Sequence, residues 1–465
     1  MGIREMGIRV ATTSSCLLLA LYASSAQAID LMEAWQGAIG NDREYAVAEA
    51  GHGVVEPRQK QAAALWRPNV VLSAGAGIAH DESNTRGVQF SGPGFGQSED
   101  IAFSTSINSG TSHNWALRAT QPLYDPKRRA EQQQLLMSAD QSDLDWNAAR
   151  QSLMLSVAEK YFDLAMTQES LRVLQQQLRA VERLTTEMQD RFKLGATPIT
   201  DTHESEARLA AVKAQVLYAE MEVETRKNIL ADSTGLSPER LFALLPQRVS
   251  EDLLQRPMDE WIREAESGNA DIRMKAIAGD VARQEAKKFT LESSVKLDAI
   301  AQAGRDYVSG HGDFGSASNA QTSGLIGVQV SVPLFTGGYR GAKEEEALRL
   351  AEKADAEMAL ARQQVAQAVR ATWLNLKAGS GRVQALAQAA EASRLRLDAT
   401  TLGHQVGDRT TLDVINAEND VANAELALAQ AKVNQVLNQI RLAALAGKLD
   451  ESVLTIFNKD MQSGQ

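Results

Sequence analysis

Two kinds of hydrophobic periodicity divide the chain. Four short segments alternate apolar and polar residues at every second position, which is the pattern of a β-strand with one apolar face. The predicted strands span about 69–79, 113–123, 294–304 and 324–334. Each has about nine to eleven residues, a length that crosses a bilayer when the strand is tilted. The alternation alone is equally typical of a soluble sheet with one wet face.

The segments that follow each strand pair are unusually long and uninterrupted. From Pro126 to Leu194 the chain contains no internal proline or glycine, and a helix of that length would extend about 100 Å. Its apolar residues, and those of the next segment, keep the a and d spacing of a coiled coil. The predicted helices span about 126–194, 200–232, 340–402 and 410–446. Each half of the chain is therefore expected to contain a long helical hairpin.

The same landmarks occur twice in nearly constant register. Pro122-Leu123-Tyr124 returns as Pro333-Leu334-Phe335, and Leu194-Gly195 returns as Val406-Gly407. A register kept over this distance predicts two structural repeats. The expected organisation is a first repeat at 29–247, a linker at 248–257, a second repeat at 258–449 and a C-terminal tail at 450–465.

The first 28 residues have the organisation of a secretory signal peptide. Arg4 and Arg9 precede an apolar run at 16–23, and Ala26-Gln27-Ala28 provides the small residues that a signal peptidase requires. The signal peptide is expected to span 1–28, so that the mature chain begins near Ile29.

Composition excludes several functional classes. Asp and Glu outnumber Lys and Arg by 59 to 48, so no global positive field favours nucleic acid. Cys16, the only cysteine, lies within the predicted signal peptide and far from its cleavage site, so no lipid anchor, disulfide or thiol nucleophile is expected. We expect no catalytic residues, no metal site and no cofactor, and hence no enzyme. Both Met1 and Met6 fit as the start codon, since Met-Gly-Ile-Arg occurs at each.

The strands determine how the chain would enter a membrane. After the signal peptide, no segment approaches the roughly 18 consecutive apolar residues of a spanning helix, so only strands remain. Four strands cannot close a barrel, because the smallest closed outer-membrane barrels have about eight. The chain is therefore expected to oligomerise, and strand counting permits a dimer or a trimer. Trp115, on the apolar face, fits either an interfacial aromatic belt or a contact in a core or between subunits.

These features together resemble the TolC family of outer-membrane channel-tunnels, over essentially the whole mature chain. The most specific motif is Val406-Gly407-Asp408-Arg409-Thr410-Thr411-Leu412-Asp413-Val414. The resemblance implies a mainly α protein with a transmembrane β part, built as a tandem-repeat protomer. Three protomers would form a twelve-stranded β-barrel and a twelve-helix α-barrel.

The resemblance also implies a function. The homotrimer would be a passive exit duct in the outer membrane of a Gram-negative bacterium, with a long periplasmic extension, for type I protein secretion or drug efflux. Its partners would be a periplasmic adaptor (membrane fusion) protein, an inner-membrane ABC-type or other export pump, and outer-membrane lipid. The missing N-terminal lipid anchor favours a secretion or general-purpose role. The alternative is a soluble periplasmic coiled-coil scaffold or adaptor, for which strands of membrane-spanning length in both halves are not typical.

Residue by residue, the resemblance places a gate at the hairpin tips. Arg409 matches the arginine that bonds across to the first tip, whose matching residues are Thr200 and Asp201. His404 stands where the best-studied members have a tyrosine in the same latch. The turns expected to contact the adaptor contain Leu194, Gly195, Val406 and Gly407.

A constriction ring is implied one turn further along the second tip. Asp413 matches the first of two aspartates that ring the constriction, and Asn416 replaces the second. A trimer would then carry three carboxylates rather than six, and such a ring favours cations. The residues alone favour Asp413 and Asp201 as acids that stabilise a helix N-terminus just after a turn, and both interpretations can hold together.

Overall fold

The computed structural model describes residues 29–94, 96–250, 252–313 and 315–462. The predicted signal peptide, 1–28, lies outside the described residues. The described residues form long and short helices and one antiparallel sheet.

Both halves contain short helices, then a strand pair, then two long helices, although the first half has three short helices and the second has two. The first half contains α1 (Leu31–Asn41), α2 (Arg43–His52), α3 (Val55–Ala64), β1 (Asn69–Gly92), β2 (Gly96–Tyr124), α4 (Pro126–Lys193) and α5 (Ile199–Thr234). The second half contains α6 (Met258–Gly268), α7 (Ala270–Thr290), β3 (Lys296–Gly312), β4 (Gly315–Ser331), α8 (Tyr339–Gln405) and α9 (Thr411–Leu445). A last helix, α10 (Glu451–Gln462), follows the second repeat.

Helix α4 shows why the long helices form. Asp125 caps its first turn, where its Oδ1 accepts a hydrogen bond from the Arg128 backbone N–H at 3.2 Å. Pro126 takes the first helical position, where a missing N–H costs nothing. The helix then continues for 68 residues, about 100 Å, because nothing interrupts it. Among the described helices, none combines the length and the apolarity that a membrane crossing requires.

The strands form one antiparallel sheet in the order β1-β2-β3-β4. The register places the apolar residues of the four strands side by side on one face. One such row across β1 to β4 consists of Val70, Ala119, Ala301 and Ile326. The large apolar side chains of this face are exposed; Ile326, for example, is 89% exposed. The described chain therefore leaves an apolar sheet face uncovered.

The strands differ in length from the sequence prediction. The predicted strands at 69–79, 113–123 and 294–304 stop short of the turns that connect the paired strands. In the structure, backbone pairing continues up to those turns, as far as Gly92 with Gly96 and Gly312 with Gly315. Backbone pairing requires no alternation, so alternation marked only part of each strand. The predicted strand at 324–334 begins nine residues after β4 does and extends three residues past its end at Ser331.

The repeated glycines form the same joint in each half. In the first, the Asn41 amide donates to the Asp232 carbonyl at 2.8 Å; in the second, the Asn269 amide donates to the Leu445 carbonyl at 3.0 Å. Gly235 and Gly447 follow these helix ends with φ of 69° and 70°, a conformation that favours glycine. The two repeats therefore share a joint at which a short helix meets the end of a long one.

The predicted C-terminal tail contains a packed helix. In α10, Leu454 and Phe457 are buried in the core that also contains Trp35 of α1 and Tyr161 of α4. The Asn458 side chain accepts from the Leu31 N–H at 3.1 Å and donates to the Asp30 carboxylate at 3.1 Å. The helix thus fastens the beginning of the described chain to its end.

Candidate functional site: the two hairpin tips

The two helical hairpins end in turns of the same construction. In the first, Gly195 and Ala196 donate their N–H groups to Phe192 and Arg191; in the second, Gly407 and Asp408 donate to His404 and Gly403. The glycines have φ of 69° and 84°, which closes each turn. The residues before them, Leu194 and Val406, are 83% and 74% exposed. Each tip therefore presents an apolar side chain to whatever lies beyond it.

The second tip is held by a reciprocal cap at the start of α9. The Thr410 hydroxyl accepts from the Asp413 N–H at 3.2 Å, and the Asp413 carboxylate accepts from the Thr410 N–H at 2.9 Å. The carboxylate also accepts from the Thr410 hydroxyl at 2.8 Å. The bonds from the Thr410 N–H and hydroxyl, with the nearby Arg409 charge, lower the pKa of Asp413 below its ordinary value. Within one chain, Asp413 therefore acts as an acid that stabilises the N-terminus of helix α9.

The remaining predicted gate residues lie near these turns. His404 Nδ1 lies 3.0 Å from the Arg409 carbonyl oxygen, which accepts a hydrogen bond from it. At the first tip, Thr200 Oγ1 donates to Asp201 at 3.3 Å. Among the described residues of one chain, no hydrogen bond or salt bridge joins Arg409 to Thr200 or Asp201. The structure therefore brings together the residues within each tip, and the latch between tips stays a prediction.

A polar stripe continues from the cap along α9. Asp413, Asn416 and Asp420 recur at spacings of three and four, so they share one face of the helix. Asn416 and Asp420 are exposed, and Asp420 forms an ion pair with Arg396 of α8. Sequence reasoning missed Asp420, although its spacing from Asp413 was available in the sequence.

Charged contacts lie between and within the two hairpins near the tips. Arg183 of α4, in the first hairpin, lies 3.5 Å from Glu418 of α9, in the second. Within the second hairpin, Arg394 of α8 lies 2.7 Å from Glu425 of α9. These glutamates and Arg183 line a groove of about 1130 Å³ between the hairpins. Sequence reasoning missed this groove, since ion pairs between distant helices leave no local pattern. Within the described ranges, no group of His, Cys, Asp and Glu is arranged to hold a metal ion.

Comparison with known proteins decides the family. The sequence profile of the family described as "Outer membrane efflux protein" matches residues 34–236 and 261–448, which lie in the two repeats. The chain belongs to this family. The predicted resemblance is thereby confirmed, and the outer membrane efflux protein family consists of transport channels rather than enzymes.

Similarities to individual proteins support the same family assignment. The chain is 30% identical to the outer membrane protein TolC of Vibrio cholerae serotype O1 over 319 residues, covering 67% of this chain and 72% of the relative. It is 25% identical to the proteases secretion protein PrtF of Dickeya chrysanthemi over 442 residues, covering 94% and 92%. The fold is similar to that of the outer membrane protein VceC of Vibrio cholerae, with a TM-score of 0.71 and 19% identity over 90% of this chain and 96% of that one.

The family assignment fixes the general role and location. The protein is an outer-membrane exit duct for secretion and efflux, located in the outer membrane of a Gram-negative bacterium. Membership does not favour the alternative of a soluble periplasmic scaffold or adaptor.

Proposed function

We propose that three copies of the chain close a twelve-stranded β-barrel in the outer membrane and extend a twelve-helix tunnel into the periplasm. The observation that carries this proposal is the sheet, in which β1 and β4 are both open edges and one face is apolar and exposed. In lipid, an unpaired strand edge costs several kcal/mol for each backbone group, so β1 of one copy must pair with β4 of the next.

Native electrophoresis of detergent-extracted outer membranes tests the assembly. We expect a trimer in the outer-membrane fraction. The mature chain contains no cysteine, so a pair of introduced cysteines, one in β1 and one in β4, should crosslink only between copies, because the two strands lie at opposite edges of the sheet of one chain. A monomer in the soluble periplasmic fraction contradicts the proposal.

We infer that the hairpin tips form the gate of this tunnel. The Arg409 guanidinium forms no hydrogen bond with the described residues of its own chain, and Asp201 receives only the 3.3 Å contact from Thr200. Both groups are therefore available to bond across the closed end of a trimer. His404 would orient Arg409 through its carbonyl.

The same arrangement supports a constriction below the gate. Three copies of Asp413 around a narrow axis would form an acidic ring, to which Asn416 adds no charge. The exposed Leu194 and Val406, each followed by its turn glycine, Gly195 or Gly407, would contact a periplasmic adaptor. An inner-membrane ABC-type or other export pump would supply the energy, for type I protein secretion or drug efflux.

Crosslinking in cells followed by purification tests these partners. A cysteine at Leu194 or Val406 should capture an adaptor together with a pump. The matched control is a cysteine at Ile78, which is even more exposed than Leu194 and Val406 but lies on the apolar face of β1. Equal capture from both positions would contradict the assignment of the tips as the docking site.

A further inference from the structure

Four side chains on neighbouring positions of β2 and β3 form a cluster on the apolar face. Trp115 pairs with Arg305, and His113 pairs with Tyr307. The His113 and Tyr307 rings stack with their centroids 4.9 Å apart. All four positions share the face of Leu117, because they follow it at even spacing along the paired strands.

The cluster lies at one boundary of the apolar band. On β3 the band runs through alternating residues from Leu297 to Ala303 and gives way to Arg305. The eight residue steps from Leu297 to Arg305 span about 26 Å along a strand, or about 20 Å across a tilted barrel wall. This height is close to the apolar band of outer-membrane barrels, about 25 Å, which is flanked by aromatic residues.

The boundary is the one that faces away from the cell. Both hairpins leave the helical part, turn near Gly92 and Gly312, and return to it. The cluster lies on the side of the turns, whereas Leu297 lies on the side of the helices. In the proposed barrel, Trp115 and Arg305 therefore lie at the level of the outer-leaflet headgroups.

Arg305 has no counter-charge on this face. Its side chain is exposed and forms no ion pair or hydrogen bond with the described residues. The nearest acids along β3, Asp298 and Asp306, occupy even positions and point to the opposite face. No carboxylate occurs among the described positions that share the face of Arg305 in 109–123 of β2, 297–311 of β3 and 316–330 of β4.

An isolated guanidinium at a lipid surface is a site for an anion. Arginine matches the geometry of phosphate oxygens through its planar set of donors. Trp115 provides an amphipathic ring beside it, and His113 provides a further donor. Phosphate carried on a lipid headgroup satisfies the charge and keeps the acyl chains against the band below.

We propose that Arg305, with Trp115, His113 and Tyr307, binds the phosphate of an outer-leaflet lipid headgroup. The inference rests on the proposed barrel, since only that assembly places this face in lipid. The ligand would thus be a lipid, bound on the outer surface of the barrel and not inside the duct.

Lipid binding by the purified trimer tests the inference. Native mass spectrometry with bis-phosphorylated lipid A should show binding to the wild type that is about five-fold weaker in Arg305→Ala. Arg118→Ala is the matched control, because Arg118 lies on the opposite face of the same strands and donates to Gln329 at 3.3 Å. Arg305→Lys should retain part of the affinity, since it keeps the charge and loses the planar set of donors.

Two further probes separate the sources of phosphate. Dephosphorylated lipid A should bind the wild type and Arg305→Ala equally, and inorganic phosphate should compete only weakly, since it lacks acyl chains.

Equal loss of lipid A binding in Arg305→Ala and Arg118→Ala, or no loss in either, overturns the inference. Full competition by inorganic phosphate overturns the assignment to a lipid. A monomeric wild type contradicts the proposed trimer and this site with it, whereas an intact trimer with unchanged binding in Arg305→Ala contradicts the site alone.

Discussion

The two hairpin tips share one turn but differ in how the following helix begins. Helix α9 begins with the reciprocal cap between Thr410 and Asp413, whereas α5 begins after Pro198 without a side-chain cap. In the register of the repeat, Pro198 corresponds to Thr410 and Asp201 to Asp413. Proline has neither a hydroxyl nor an N–H, so it cannot form either bond of the cap.

Because of this difference in capping, the matching carboxylates of Asp413 and Asp201 have different surroundings. The Asp413 carboxylate is held in place by the Thr410 N–H and hydroxyl, at 2.9 and 2.8 Å. The Asp201 carboxylate has only the Thr200 hydroxyl at 3.3 Å. We infer that the first tip keeps its acid available for a partner, while the second fixes its acid in one direction.

Removing the Asp413 charge should have the largest effect. In Asp413→Asn, the amide oxygen still accepts the Thr410 N–H, so the cap is retained while the ring charge is lost. We therefore expect most of the cation selectivity to disappear, as measured by reversal potentials in planar bilayers under a salt gradient. Asp413→Ala should lose selectivity equally and loosen the cap as well. An unchanged reversal potential in Asp413→Asn would place the constriction elsewhere.

Adding charge one turn further along should act in the opposite direction. Asn416 is exposed on the Asp413 face of α9, so Asn416→Asp would double the carboxylates of a trimeric ring. Stronger cation selectivity and stronger block by multivalent cations are expected in the same bilayer measurements. Asn416→Ala is the control and should leave both nearly unchanged, because an amide adds no net charge. Loss of selectivity in Asn416→Ala would show that the amide itself binds ions.

Breaking the predicted latch should open the duct only in part. Arg409→Ser removes the guanidinium but leaves the carbonyl that His404 contacts. An exposed ion pair contributes about 1 kcal/mol or less, so each of the three latches lost from a trimer should shift the closed population by about five-fold at most. A moderate rise in single-channel conductance is the expected result, with the trimer verified by native electrophoresis. Wild-type conductance in an intact trimer would count against the latch.

The sequence predicted the elements better than the contacts between them. Alternation located the apolar band of each strand but not the outer part of β1, since antiparallel pairing through Gly92 needs no side-chain pattern. The repeat register located both tips, and the turn glycines have the positive φ that such turns require. Helix α10 was missed as a packed element because its anchor, Asn458, binds residues at the other end of the chain. The Arg305 site was missed because its position relative to Trp115 depends on strand register.

Giving the first tip the cap of the second should abolish the difference between them. Pro198→Thr supplies the N–H and the hydroxyl that Asp201 lacks, so the carboxylate should turn towards its own helix. If Asp201 is the partner of Arg409, conductance should rise as in Arg409→Ser, though less. Pro198→Ala is the control for loss of the proline ring, since it adds an N–H but no hydroxyl. The same conductance in Pro198→Thr and wild type would mean that Asp201 is not needed for closure.

The smallest effect concerns the pH dependence of the α9 cap. Because the Thr410 hydrogen bonds lower the pKa of Asp413 below its ordinary value of 3.8, the ionised form is favoured in the folded tip. The cap's contribution is therefore fully present above that ordinary pKa and is lost as the pH falls through the lowered folded value. Hydrogen exchange of the Thr410 and Asp413 amides, corrected for intrinsic rates, should show protection that persists to about pH 4 and declines only below it. Asp413→Asn should show no such step, and the same decline in that variant would mean that another group controls the tip.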